Sequence, residues 1–192
     1  REKSKPVMVF LHGWGGSGRY WESTAKELSH KFDCLIYDLR GFGRTSLPKE
    51  KSTGKTSISS TTKNLINDYE LVTYAEDLKV LLNALNLDQV YITAHSTGAS
   101  IAIIFLNMYP ERLEKAIFTC SGVFEYDEKS FSAFHKFSRY VVMFRPKWLV
   151  KIPFMGRIFM ARFFHKPLPN SMCNIFLEDF LLADFDAAYG TV

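Results

Sequence analysis

The chain lacks what a spanning, secreted or metal-centred protein would show. No apolar run reaches the about 20 residues that a membrane-crossing helix needs, and no secretion-signal pattern opens the sequence. Cysteine is scarce. Cys34, Cys120 and Cys173 are odd in number, and their spacing fits neither a disulfide frame nor a zinc site. A reducing, cytoplasmic setting is expected from these absences. Neither sign of charge dominates: 24 basic and 20 acidic residues leave a formal net charge of +4, which by itself makes no case for nucleic acid. What is present is apolar. At 47% hydrophobic residues over a length of 192, the chain has material for one ordinary core, and its composition argues against a disordered chain. It opens on Arg1 and enters a buried-type strand within six residues, and it stops at Val192 soon after a helical stretch. A piece of a longer protein is expected.

Short apolar runs alternate with segments of helical periodicity. Residues 6–11, 32–37, 90–93 and 116–120 read as strands, the first two as buried ones. Residues 17–28, 71–85 and 100–109 read as helices, the last stopped by Pro110. Such alternation predicts an α/β fold, a mostly parallel sheet with helices on both faces. Residues 46–67 are rich in Ser, Thr and Lys and read as a surface loop. Residues 122–192 hold no clear strand and read as a helical extra layer.

The stretch VFLHGWGGSG, residues 9–18, poses a choice. Gly13, Gly15 and Gly18 spell G-x-G-x-x-G after an apolar run, and Asp38 follows twenty residues later, as in a dinucleotide-binding loop with its ribose acid. Ala94-His95-Ser96-Thr97-Gly98 decides against that. It fits G-x-S-x-G with Ala at the first Gly, between a strand and a helix. A serine on so sharp a turn is exposed, needs small neighbours two residues away on either side, and faces the positive end of the next helix. A P-loop-like Ser52-Thr53-Gly54-Lys55-Thr56 is set aside, because Lys49 stands where the motif needs Gly.

Three motifs in order, LHGWGGSG, DLRGFGRTS and AHSTGAS, resemble the α/β-hydrolase superfamily, in its serine-nucleophile, esterase-like or lipase-like branch. The resemblance is close over 6–121 and loose over 122–192. It implies a core at 1–121 and a helical cap at 122–192, the final strands of the fold being absent. It implies Ser96 as nucleophile and the backbone N–H groups of Trp14 and Thr97 as the oxyanion hole. His12, Gly13, His95 and Gly98 would be supporting motif residues, His12 shaping the loop rather than acting as base. Asp38 is then a turn-former. Serine argues against the dehalogenase and epoxide-hydrolase branches, which use Asp.

A serine hydrolase also needs a base and an orienting acid. The family order is Ser, acid, His. His30, His135 and His165 sit in a helix end or the cap, Asp184 and Asp186 in a helical stretch, and Glu125 and Asp127 just after the fourth strand. None is assigned; base and acid are expected beyond Val192. No cofactor or metal is implied. The expected function is hydrolysis of an ester bond in a hydrophobic small molecule or lipid. A non-catalytic binding protein on the same fold stays open, as do thioesterase, acyltransferase, carbon–carbon hydrolase and cofactor-free haloperoxidase chemistry.

From Lys129 to Lys166 there is no acidic residue, and Lys and Arg interleave with Phe, Tyr and Trp. Two readings stay open: cap aromatics that face a substrate pocket while the cations are solvated, or a peripheral contact with anionic membrane. Either favours an apolar substrate. No base-reading motif suggests nucleic acid.

Overall fold

The computed structural model describes residues 5–45, 69–121, 127–161, 163–164 and 166–191. The loop expected over 46–67, the Ser52–Thr56 stretch within it, Glu125 and His165 lie outside the described residues.

Among the described residues, four strands form one sheet: β1 (Val7–Leu11), β2 (Asp33–Ile36), β3 (Val90–His95) and β4 (Leu113–Thr119), in the order β2-β1-β3-β4, every neighbouring pair parallel. Parallel neighbours need long crossovers, and helices supply them: α1 (Glu22–Leu28), α2 (Leu71–Ala84) and α3 (Thr97–Met108). The chain leaves β1 toward β2, then returns to the other side of β1 for β3. The sheet therefore has a switch point between β1 and β3, where a crevice opens beyond the strand ends.

Alternation along β1 covers both faces. Met8 and Phe10 pack with Trp21 and Ala25 on the α1 side; Val9 and Leu11 join Leu78, Leu82, Ile101 and Phe105 on the side of α2 and α3. That double burial is why β1 reads as a continuous apolar run. Ile101 and Phe105 are fully buried, worth about 1.5–3 kcal/mol each. β2 departs from expectation: Asp33 is exposed and the other three residues are only half-buried. It is an edge strand of this sheet, open on one side. α3 begins at Thr97 rather than at residue 100, directly after the serine, because Ser96 itself is the N-cap residue.

The remaining described elements are α4 (Glu128–Met143), α5 (Met155–Met160), α6 (Asn170–Leu182), α7 (Phe185–Gly190) and 3₁₀ turns at Gly18–Trp21, Pro110–Arg112 and Lys147–Lys151. Asp127 opens α4 by accepting from the Ser130 N–H at 2.7 Å, and Asp184 opens α7 by accepting from the N–H groups of Asp186 and Ala187. α6 and α7 are seated on the loops that leave β1 and β2. Ala183, Ala187 and Ala188 belong to the same buried cluster as Val9 and Leu11, and the Asp184 N–H donates to Gly41 O at 2.7 Å.

Candidate active site

Ser96 stands at the junction of β3 and α3, at the switch point, with φ 55° and ψ −125°. A residue with a Cβ pays about 1–3 kcal/mol for such a backbone and holds it only when its surroundings over-determine it. They do. The Ser96 N–H donates to Thr119 O on β4 at 2.9 Å, and Ser96 O accepts from the N–H groups of Ala99 at 2.8 Å and Ser100 at 3.1 Å. The Thr119 hydroxyl donates back to Ala94 O at 2.9 Å. Two residues on, Gly98 lies on the end of β1: a Cβ there would press on the carbonyls of His12 and Leu11, the latter at 2.8 Å. Two residues before, the Ala94 methyl is completely buried. The small residues flanking the serine thus answer to backbone crowding.

The loop after β1 meets this turn. Gly13 O accepts from the Gly16 N–H at 3.2 Å, which closes a tight turn around Trp14 and Gly15. Gly15 has φ +67°, the left-handed value a type II turn requires at its third residue. The closing bond does not use the Trp14 N–H. The Thr97 N–H lies in the first turn of α3, where intrahelical acceptors do not reach. A Cβ on Gly13 would stand 3.1 Å from both Ser96 Cβ and His95 Nδ1, so the turn and the serine are in contact.

His12 is completely buried and fully bonded. With the proton on Nδ1, the ring donates to Gly13 O at 2.9 Å, and Nε2 accepts from the Leu39 N–H at 2.9 Å. Burial lowers its pKa to about 4, against the opposing pull of Gly13 O and Asp38, so it is a neutral strut between the two loops. Asp38 Oδ1 accepts from the Gly18 N–H at 2.7 Å, and Oδ2 from the Arg44 N–H at 2.8 Å. Burial pushes this carboxyl up, but those two N–H groups outweigh it and hold it below the usual carboxylate range. The last glycine of the motif and its distant acid therefore bond to each other, and Asp38 is committed to backbone donors rather than to a ribose.

Residues 6–156 match the family model described as alpha/beta hydrolase fold. The chain belongs to the α/β-hydrolase fold family. The match runs past residue 121 into α4 and α5. An uncharacterized protein of Mycobacterium tuberculosis is 25% identical over 119 residues, which cover 62% of this chain and 30% of that one. Epoxide hydrolase 1 of Caenorhabditis elegans is 26% identical over 113 residues, 59% of this chain and 24% of that one. Among solved structures, a bromoperoxidase from Bacillus anthracis has a TM-score of 0.74 at 24% identity, covering 98% of this chain and 65% of its own. An esterase from Exiguobacterium antarcticum has a TM-score of 0.72 at 20% identity, with 98% and 65% covered. The α/β-hydrolase chain spans 30% or less of these curated relatives and under two thirds of these structures.

Among the described residues of this α/β-hydrolase, no hydrogen bond joins an imidazole to Ser96. His30 is exposed and bonds through Nδ1 to Glu27 O at 2.7 Å. His135 packs its ring on Phe131 at 4.2 Å. His95 adjoins the serine and is exposed, though partial burial of its ring lowers its pKa. Asp127 and Asp184 are helix caps, and Asp186 is exposed. Among the described residues, no three His, Cys, Asp or Glu side chains are grouped to hold a metal ion.

Sequence reasoning missed a second set of residues beside this loop. The Ser17 hydroxyl donates to Asp179 Oδ2 on α6 at 2.5 Å, and Arg19 pairs with both Asp179 and Glu178, the latter at 2.9 Å. Asp179 is buried, and burial raises its pKa against the pull of Arg19 and Ser17. The Trp14 ring packs on Phe180 at 5.6 Å, while its Nε1–H donates to Ala188 O at 3.0 Å. Nothing local to 17–19 announces a partner some 160 residues away.

Proposed function

We propose that Ser96 is the nucleophile of a serine hydrolase that cleaves an ester bond in an apolar small molecule or lipid. The observation that carries this reading is the backbone of Ser96, left-handed at the strand–helix junction and in contact with the Gly13 turn. In this reading Ser96 Oγ attacks the carbonyl carbon as its proton passes to a general base. The carbonyl electrons move onto oxygen, where the N–H groups of Trp14 and Thr97 receive the negative charge, each donor worth roughly 3 kcal/mol. The N-terminus of α3 adds a favourable dipole. Collapse expels the alcohol, which takes the proton from the base. Water then enters by the same route and releases the acid. His12, Gly13, His95 and Gly98 shape the two turns. In this reading the base and its acid follow the family order Ser, acid, His and are expected after the cap; the nitrogens of His12 are committed, His30 bonds to Glu27 O, and the His135 ring packs on Phe131.

Those same engagements favour one second reading, a binding protein on a hydrolase fold. A serine-reactive fluorophosphonate separates the two, applied to this chain and to a chain extended past Val192, each with a Ser96→Ala control. Labelling lost in the Ser96→Ala control supports the hydrolase. No labelling of either chain overturns it in favour of binding.

A further inference from the structure

We propose that segment 129–166 seats the protein peripherally on an anionic phospholipid surface, independently of the chemistry at Ser96. The segment carries nine Lys and Arg residues and no acid, a charge of +9; the rest of the chain, at −5, brings the total to +4. So lopsided a charge orients the molecule toward a negative plane.

Many of the segment's aromatic side chains are outside. Phe137 is 68% exposed, Phe144 73% and Trp148 58%; Phe131, Phe134, Tyr140, Phe154 and Phe163 are exposed as well. Aromatics that lined a closed pocket would not be. On α4 the arrangement is ordered. Residues three and four apart share a helix face, so Phe137, Tyr140 and Phe144 form one stripe opposite the buried Val142. Lys129 and Lys136, both exposed, flank that stripe at helical spacing. Aromatic side chains beside lysines make up the face that helices lying in a membrane interface present to it.

Among the described residues, two cations of the segment are used inside the protein. The Arg145 guanidinium donates to Phe180 O at 2.5 Å and Ala183 O at 2.8 Å, and Arg139 lies over the Tyr189 ring. Lys129, Lys136, Lys147, Lys151, Arg157 and Lys166 are exposed. At the end of the segment lies a hollow of about 290 Å³ whose lining includes Arg157 and Lys166 with Met160, Phe164, Leu168 and Cys173. Among the described residues, no helix is long and apolar enough to cross a membrane. The contact is therefore in the interface plane.

The test is co-sedimentation with vesicles of phosphatidylcholine alone and with 30 mol% phosphatidylserine, with tryptophan emission read in parallel. The expected result is binding to the anionic vesicles only, weakened by 0.5 M salt, with a blue shift that Trp148→Phe removes. At about fivefold per cation, Lys129→Gln with Lys136→Gln lowers the partition coefficient about 25-fold, and Phe137→Ser with Phe144→Ser abolishes binding without changing the melting temperature. Equal binding to both vesicles, no binding to either, or a dimer in solution that the Phe137 and Phe144 substitutions dissolve would overturn the proposal. Fluorophosphonate labelling is read separately and bears only on Ser96.

Discussion

Replacing Asp179 by alanine breaks the tie between α6 and the loop after β1, and the cost follows from what is left behind. The Ser17 hydroxyl, 1% exposed, loses its acceptor; an orphaned buried hydroxyl costs about 1–3 kcal/mol. Arg19 loses one of two carboxylates but keeps Glu178, and its side chain is 27% exposed. Its loss therefore counts as about 1 kcal/mol, the upper value for a partly exposed pair. Together these put the loss at about 3 kcal/mol. For a domain of this size each kcal/mol lowers the melting temperature by about 2–4 °C, so a drop of roughly 9 °C is expected. Asp179→Asn keeps an oxygen for Ser17 and should lose about half as much. Urea unfolding followed by circular dichroism measures both, and a double-mutant cycle with Ser17→Ala isolates the contact. A coupling above about 1 kcal/mol is expected, since independent sites add to within about 0.5 kcal/mol. A loss below 1 kcal/mol, or an additive cycle, would refute the reasoning.

Three other substitutions test the site. Burial lowers His12 from 6.5 to about 4, so between these values the unfolded chain binds more protons than the folded one. Its stability contribution is complete above pH 6.5 and is lost as pH falls toward 4, about 3 kcal/mol in all; His12→Gln should flatten the urea midpoint across that window. Ser96→Gly relieves a left-handed backbone and should raise stability by about 1 kcal/mol while ending fluorophosphonate labelling. Gly98→Val drives a branched Cβ against the carbonyls of Leu11 and His12; it should cost about 1–3 kcal/mol and abolish labelling even though Ser96 is intact.

Much of the fold was legible because its signals are local. β1 and β3 announce themselves as apolar runs, α2 by the spacing of Leu71, Leu78, Leu82 and Leu85, and the Ser96 turn by the small residues that backbone crowding demands. The role of Asp38 as a turn-former was readable too, since an acid ahead of Arg-Gly-Phe-Gly has backbone N–H groups within reach. β2 misled because an edge strand with one open side carries nearly the composition of a central one. The start of α3 was set late because Thr97, Gly98 and Ala99 look like loop residues, and only tertiary packing makes them helical. Asp179 was invisible: an acid in a helix, here beside Glu178, is ordinarily solvated, and only contact with Ser17 and Arg19, far away in sequence, makes it an internal anchor. The docking of Trp14 under Phe180 and Ala188 escaped for the same reason.

That docking has a mechanical meaning. The indole of Trp14 packs at a tilt against Phe180 and donates from its nitrogen to Ala188 O, and Ser17 is tied to the same helix as Phe180. To lift α6 and α7 is therefore to break these contacts and disturb the Gly13 turn beside Ser96, so the two helices and that turn behave as one mechanical unit.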